Sequence, residues 1–406
     1  MRKKFNNMYK SRPRSILRSL CLFIIVGSVY SCKPNKDEEK DHVSEDLDVS
    51  ENKMNVKVFY EKGKYAGWPA NWGSWNWGNE ILVGFTLADH LDKPGHTYDL
   101  YSAYSKFARS LDGGTSWLIE DAYENGITGA TFEHNLGDKS KKSTKITKEM
   151  DFLNPEFALT FRMKDFTGGP TSFYYSYNKG KSWDGPFKLE VDFGDRKPLG
   201  IVSRTDYIID SSTEMTAFLT VAFQEGEMKW REVACMRTID GGITWNHLSW
   251  IGEERVNSGN PASIRLGPSR ILAITRTTNP ARMLSFVSED NGHTWNQLAD
   301  PVKVDNNGNP PALLRLKDGR LSLTYGIRES ETMPNGTGIY ISYSSDEGKT
   351  WSAPELVRGE DGANWDIGYP RTVLLPDGKV VAMYYYNNAN NGDKFRYIAA
   401  TIFEPN

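Results

Sequence analysis

The sequence predicts an all-β fold, and three observations lead to that prediction. The 406 residues include 36 Gly, 20 Tyr, 18 Phe and 12 Trp, a composition that favours strands and tight turns over helices. A short motif recurs along most of the chain, and apolar runs of strand length lie between its copies. The hydrophobic fraction of 38% and the charged fraction of 25% exclude a disordered, collagen-like or multi-span membrane chain.

The recurring motif has eight residues, in the form Ser/Thr-x-Asp/Asn-x-Gly-x-Ser/Thr-Trp. Each copy predicts a tight turn between two strands: the Asp or Asn accepts N–H groups two residues on, Gly permits a positive φ, and Trp anchors the turn. The copies lack the alternating oxygen ligands and the distal Glu of a calcium loop, so a metal role is not expected. The five copies are residues 110–117, 176–183, 238–245, 288–295 and 344–351.

This motif is the Asp box, and with it the chain resembles the sialidase superfamily of β-propellers. Successive copies begin 50 to 66 residues apart, which suits one four-stranded blade per repeat. The resemblance implies a six-bladed propeller with five Asp boxes over residues 55–406. The sixth unit, from residue 369 to residue 403, has no box, and residues 55–60 are expected to supply its closing strand.

Residues 55–406 also resemble a group of uncharacterised secreted sialidase-like proteins. The matching stretches include Gly67-Trp-Pro-Ala70, residues 78–85, residues 204–207, residues 325–328 and residues 366–371. This resemblance implies a relation to exo-sialidases, but it does not fix the reaction.

Residues 1–31 predict an export signal. Seven basic residues and no acidic residue accompany the apolar run 20–29, which is too short to span a membrane as a helix. The following Val-Tyr-Ser-Cys32 resembles a bacterial lipobox, which implies lipidation of Cys32 and an outer-membrane anchor on the periplasmic or external side. Ordinary cleavage without a lipid is the alternative, because Tyr30 is bulky for a lipobox. The charged residues 32–54 predict a disordered tether.

Charge and motif content exclude several other classes of protein. The formal net charge is -3, and it is more negative without the seven cations of the signal, so nucleic-acid binding is not expected. Cys235 alone follows Cys32, which leaves no disulfide framework. The chain has no phosphate-binding glycine loop, no His-Glu-x-x-His and no Gly-x-Ser-x-Gly motif. We therefore expect a monomer without cofactor or metal.

Arginines recur where strands of the predicted blades meet one face. The loops that enter first strands and leave second strands share the face opposite the boxes, and a pocket is expected there. Predicted entries include the Asn-Pro pairs at 154, 260 and 309 and the segment 368–371. A guanidinium cluster suits the carboxylate of an acidic sugar, whereas local ion pairs are the structural alternative. The candidate substrate arginines are Arg162, Arg204, Arg276, Arg328 and Arg371.

The resemblance also implies a catalytic set. Sialidases use a Tyr nucleophile activated by a Glu, with an Asp as acid/base, because a phenol approaches an anionic anomeric centre with less repulsion than a carboxylate. Glu225 and Glu227 are the two candidates for the Glu that activates the nucleophile. The predicted roles are nucleophile for Tyr369, proton carrier for Asp99 or His96, activating carboxylate for Glu225 and substrate contact for Asp366.

One departure from the family leaves the function open. Sialidases begin with an Arg-Ile-Pro element, but residues 67–85 contain no arginine and four tryptophans. Trp68 and Trp75 are candidates for stacking on sugar rings, with core packing as the alternative. The sequence predicts a secreted retaining glycosidase that cleaves a terminal sialic or uronic acid. A polysaccharide lyase acting on uronates and a non-catalytic glycan-binding propeller are the alternatives.

Overall fold

The computed structural model describes most of the chain that follows the predicted export signal. The described residues are 48–50, 52–129, 139–165, 167–202, 204–278, 280–302, 309–328, 336–359 and 361–406. The predicted signal, Cys32 and most of the predicted tether lie outside them. Within these ranges no helix is long and apolar enough to cross a membrane.

Strands account for nearly all regular structure in the described residues. Short 3₁₀ turns occur at Pro69–Asn71, Leu100–Ser102 and Ala389–Asn391. The first strands are β1 (Asp48–Ser50), β2 (Lys53–Phe59), β3 (Lys64–Gly67), β4 (Ser74–Trp77), β5 (Glu80–Asp89), β6 (Tyr104–Ser110), β7 (Leu118–Asp121), β8 (Ala158–Met163), β9 (Thr171–Ser176) and β10 (Asp184–Lys188). The middle strands are β11 (Val191–Asp192), β12 (Gly200–Ile201), β13 (Tyr207–Ile209), β14 (Met215–Glu225), β15 (Met228–Thr238), β16 (Trp245–Ile251), β17 (Ser258–Arg265), β18 (Ile271–Thr278), β19 (Ala281–Ser288) and β20 (Asn296–Gln297). The last strands are β21 (Ala312–Arg315), β22 (Leu321–Ile327), β23 (Gly338–Ser344), β24 (Glu355–Arg358), β25 (Gly368–Leu374), β26 (Val380–Asn388) and β27 (Asp393–Phe403).

These strands form successive, mainly antiparallel sheets, which confirms the predicted all-β class. Strands β8–β10 form a three-stranded sheet, and β17–β20 and β21–β24 form two four-stranded sheets. A six-stranded sheet has the order β11-β16-β15-β14-β12, with β13 also paired to β14. Neighbouring sheets pack through aromatic contacts; for example, the ring of Trp245 meets that of Phe161 edge-on at 5.8 Å.

A ten-stranded sheet joins the two ends of the folded chain. Strand β2 pairs antiparallel with β27, as predicted for the closing strand, and a parallel bridge links Arg396 of β27 to Tyr65 of β3. The closing strand begins at Lys53 rather than Asn55, and β1 pairs with its first residues. The predicted disordered tether is therefore wrong for residues 48–50, 53 and 54.

The five repeated turns share one hydrogen-bond pattern. The Gly N–H donates to the first Ser or Thr hydroxyl, at 2.8 Å from Gly348 to Ser344, and that hydroxyl donates to the carboxylate of Asp346 at 2.8 Å. The carboxylate accepts the N–H of the residue four positions on, Thr350, at 2.9 Å. The prediction of a contact two residues on was wrong, because the turn folds the Ser/Thr before the Trp back onto the carboxylate.

One predicted strand entry lies at the opposite end of its sheet. Asn154-Pro155 was expected on the cavity face, but it precedes β8 next to the second repeated turn. There the Lys179 N–H donates to the Glu156 carbonyl oxygen at 3.0 Å. Its Asn-Pro sequence alone could not distinguish the two ends of a sheet.

We expect Asp346→Ala to lower the free energy of unfolding by about 1–2 kcal/mol, because several hydrogen bonds to one carboxylate are lost. Asp346→Asn is the matched control, since Asn178 accepts Ser182 N–H at 2.9 Å and donates to the Ser182 hydroxyl at 2.8 Å in the second repeat. Denaturant unfolding curves measure both changes. Equal losses for Ala and Asn would contradict this account of the turn.

Candidate active site

A cavity of about 270 Å³ lies where several sheets present strand ends to one face. Its walls come from the end of β3, the end of β8, the loop after β12, the start of β17, the end of β18 and the start of β25. Among the predicted residues, Tyr369, His96, Arg204, Arg276 and Trp68 line it. The further lining residues are Asn71, Tyr98, Met163, Val202, Thr220, Arg231 and Asn260.

A repeated backbone feature directs three of these side chains into the cavity. Tyr369 has φ 53 within Gly368-Tyr-Pro370, Trp68 has φ 57 within Gly67-Trp-Pro69, and Asn260 has φ 53 within Gly259-Asn-Pro261. Left-handed backbone is unfavourable for Tyr and Trp and is found where surrounding structure enforces it, whereas Asn adopts it more readily. Register shifts after Gly259 and Gly368 mark bulges at two of these positions.

Two guanidinium groups hold the phenol of Tyr369. Arg204 Nη2 and Arg276 Nη2 each donate to the Tyr369 hydroxyl oxygen at 3.3 Å. The Arg204 guanidinium also lies 4.5 Å from the centroid of the Tyr369 ring. Burial raises the pKa of Tyr369. The positive charges of Arg276, Arg204 and Arg328 outweigh this effect and lower the pKa to about 6. The phenol can therefore be ionised near neutral pH.

A third arginine completes the positive wall. Arg231 lies on β15, and burial together with the neighbouring charge of Arg276 lowers its pKa. Sequence reasoning missed Arg231 because it considered first-strand entries and second-strand ends. The start of a third strand reaches the same face, and the alternation along Trp230-Arg231-Glu232 could have indicated it.

His96 joins the cavity to a buried carboxylate. Its Nδ1 lies 2.7 Å from Asp366 Oδ1, and the Asp366 side chain is fully buried. Arg396 Nε donates to Asp366 Oδ2 at 3.0 Å, and the Tyr385 hydroxyl donates to Oδ1 at 2.7 Å. The prediction of Asp366 as a substrate contact was wrong, because these partners surround it and no part of it reaches the cavity.

Three of the five predicted arginines do not line the cavity. Arg162 is 1% exposed, donates to Thr160 and Ser105, and stacks on Trp72. Arg371 donates to the carbonyl oxygens of Ala70 and Thr205. Arg328 donates to the Ile367 carbonyl and the Tyr385 hydroxyl, although its guanidinium lies 5.7 Å from the Tyr369 ring centroid. Arg162 and Arg371 thus stabilise the strands and loops around the cavity, and Arg328 acts on Tyr369 through its charge.

Three other predicted site residues lie away from the cavity. Asp99 begins a 3₁₀ turn and accepts the Tyr101 N–H at 3.0 Å. Glu225 is exposed at the β14–β15 hairpin, where it forms an ion pair with Arg255 at 2.7 Å. Trp75 packs against Trp183 and donates to the Tyr207 hydroxyl at 2.9 Å. Each prediction was wrong for the same reason: the position of a residue in the sequence does not show which way its side chain points in the folded chain.

Comparison with known proteins identifies the family. Residues 159–382, more than half of the chain, match the model of the BNR repeat-like domain. The chain belongs to that family. No curated protein matches the chain by sequence.

Solved structures share the fold of this BNR repeat protein. A protein of unknown function from Dyadobacter fermentans is 20% identical, with a TM-score of 0.64 and coverage of 87% of this chain and 98% of that one. The NanB sialidase of Streptococcus pneumoniae is 10% identical, with a TM-score of 0.56 and coverage of 86% and 70%. An α-L-arabinanase from Penicillium chrysogenum is 12% identical, with a TM-score of 0.52 and coverage of 86% and 97%. The chain thus has the sialidase-like β-propeller fold, as the Asp boxes predicted.

We expect one tyrosine of the native protein to ionise with a midpoint near pH 6, measured by ultraviolet difference spectroscopy. Tyr369→Phe should abolish this transition, and Arg276→Gln should raise its midpoint by about 1–3 in pH, because one of the opposite charges is lost. Tyr101→Phe, at a side chain that is 89% exposed, is the control and should retain the transition. If the transition near pH 6 persisted in Tyr369→Phe, its assignment to Tyr369 would be rejected.

Proposed function

We propose that this protein is a glycosidase of sialidase-like type that removes a terminal acidic sugar, sialic or uronic acid, from glycans. The observation that carries the proposal is the phenol of Tyr369 held between Arg204 and Arg276 in a cavity with His96. Structural neighbours that are named as sialidases and as an arabinanase support the general class of reaction.

The cavity wall is suited to a carboxylate. Arg204, Arg231 and Arg276 line it, and no Asp or Glu is among the described lining residues. Guanidinium groups bind carboxylates through paired hydrogen bonds, and a low-dielectric cavity strengthens that attraction. At about 270 Å³ the cavity is at the small end of ligand sites, which suits one terminal sugar better than an internal stretch of chain.

In the proposed reaction, Tyr369 is the nucleophile. Its oxygen forms a bond to the anomeric carbon while the bond from that carbon to the leaving oxygen breaks, and the leaving oxygen takes a proton. Water then loses a proton to a base as its oxygen bonds to the same carbon, the bond to the Tyr369 oxygen breaks, and the sugar is released with retained configuration. The low pKa of Tyr369 supplies the phenolate, and the two arginines balance its charge.

A lyase is the second candidate, and the absence of a carboxylate among the described lining residues favours it. Tyr369 as phenolate would remove the proton α to a uronate carboxylate that the arginines bind. The electron pair would form a carbon–carbon double bond as the β-oxygen departs. The unsaturated product absorbs in the near ultraviolet, which distinguishes it from a hydrolysis product. Binding without turnover is the remaining alternative, because residues 67–85 contain no arginine and so lack the Arg-Ile-Pro element with which sialidases begin.

We propose an architecture and a location that fit this function. In the proposed six-bladed propeller the ten-stranded sheet contains two blades, β25-β26-β27-β2 and β3-β5-β6-β7. The protein is proposed to be an exported monomeric lipoprotein anchored at the outer membrane through Cys32, which lies outside the described residues. Mass spectrometry of the amino-terminal peptide tests the lipid, and an unmodified Cys32 would reject it.

We expect purified protein to release the aglycone from a fluorogenic sialoside or glucuronide, and Tyr369→Phe to lose on the order of 10³-fold or more in kcat, as loss of a nucleophile does. Arg270→Gln is the control, because Arg270 forms surface ion pairs with Glu289 and Glu347 outside the cavity. No release from either substrate between about pH 4 and 8, the range in which general acids and bases of glycosidases act, would reject hydrolysis. An ultraviolet-absorbing product would favour the lyase.

A further inference from the structure

The cavity contains a phenol and an imidazole, but no carboxylate among its described lining residues. A glycosidase that uses a Tyr nucleophile still needs a group that protonates the leaving oxygen and later deprotonates water. Asp99 and Glu225, the predicted carboxylates, point elsewhere. His96 is the remaining lining residue whose side-chain type ordinarily exchanges protons near neutral pH.

Asp366 fixes one nitrogen of this imidazole. Burial raises the pKa of Asp366, but the hydrogen bond from His96 and the charges of Arg396 and Arg328 hold it below its usual value. Asp366 is therefore ionised and accepts a hydrogen bond from the Nδ1–H of His96, with Nδ1 at 2.7 Å from Oδ1. This leaves Nε2 as the nitrogen that can exchange a proton in the cavity, in the way that a buried carboxylate orients a catalytic histidine.

The surroundings keep both residues in place. The ring of His96 meets Trp68 edge-on with centroids 5.3 Å apart, and it lies 5.6 Å from Trp365. The Tyr65 hydroxyl lies 3.3 Å from His96 Nδ1. The His96 side chain is 32% exposed, whereas that of Asp366 is fully buried. The imidazole alone of this pair can therefore reach a substrate.

We propose that His96 is the acid/base of this site and that Asp366 is its positioning residue. The inference rests on the proposed glycosidase function. His96 Nε2–H gives its proton to the leaving oxygen as the glycosidic bond breaks and the bond to Tyr369 forms. Neutral His96 then takes a proton from water as the water oxygen bonds to the anomeric carbon and Tyr369 departs as phenolate.

Leaving-group dependence tests the role of His96. The probes are the dinitrophenyl and methyl glycosides of N-acetylneuraminic acid and of glucuronic acid. We expect His96→Asn to lower kcat/KM for the methyl glycoside about 10²–10⁴-fold, because its leaving oxygen needs a proton. Formation of the glycosyl-enzyme from the dinitrophenyl glycoside, read as the burst of released dinitrophenol, should fall less than about tenfold, because dinitrophenolate departs without one. Equal losses on both substrates, or no loss on either, would overturn the assignment.

A matched pair elsewhere in the chain provides the control. His90 Nε2 lies 2.9 Å from Asp92 Oδ1, the same kind of contact, but His90 does not line the cavity. His90→Asn and Asp92→Asn should leave both rates unchanged. A loss that these variants share with His96→Asn would indicate a folding effect and reject a specific role for His96.

Nitrogen NMR of the His96 ring tests Asp366 without any turnover. We expect the Nδ1–H tautomer in the neutral wild-type ring and a shift towards Nε2–H in Asp366→Asn, because the amide can donate to Nδ1. That variant should lose kcat on the methyl glycoside with little change in KM. An Nε2–H tautomer in the wild-type ring would overturn the positioning role. If neither acidic glycoside is cleaved, the glycosidase proposal fails, while the tautomer still decides how Asp366 acts on His96.

Discussion

The candidate site depends on how a cluster of positive charge is kept inside a cavity. Burying guanidinium groups is unfavourable unless hydrogen bonds and opposite charge compensate them. Burial lowers the pKa of Arg204 to about 10, and the phenol of Tyr369 is the acidic group that it contacts. The arginines stabilise the phenolate and the phenolate stabilises the arginines, so the positive wall and the low pKa of Tyr369 are one property of the site.

The backbone of the inner strands places these groups. Three Gly-X-Pro segments hold Trp68, Asn260 and Tyr369 in left-handed conformations at the cavity. A β-strand in regular register would point alternate side chains to its two faces. The bulge at the start of β25 interrupts that alternation and turns the side chain of Tyr369 into the cavity. Proline then fixes the direction in which the chain continues into the strand.

Local signals made the fold predictable, and long-range pairings limited what could be predicted of the site. The Asp boxes are self-contained, since each set of hydrogen bonds lies within one turn, and the sequence therefore located them correctly. Arg204 and Arg276 could be predicted because strand ends meet one face. The partnership of His96 with Asp366 spans 270 positions of sequence, and no local pattern indicates it. Arg371 and Arg162 illustrate the converse, because an arginine at the correct strand end can still bond to nearby backbone or side-chain oxygens.

The pairing of β2 with β27 has a consequence for how this protein reaches its native state. Strand β2 comes before nearly all the other strands and β27 comes after them, so the two cannot pair until the ribosome has released the chain as far as β27. Joining such distant segments is slow, because the entropy of closing a long loop must be overcome before the contacts form. Until then the edge of β26 that β27 will cover is open to pairing with other chains, and a chaperone that shields this edge during synthesis would favour correct assembly.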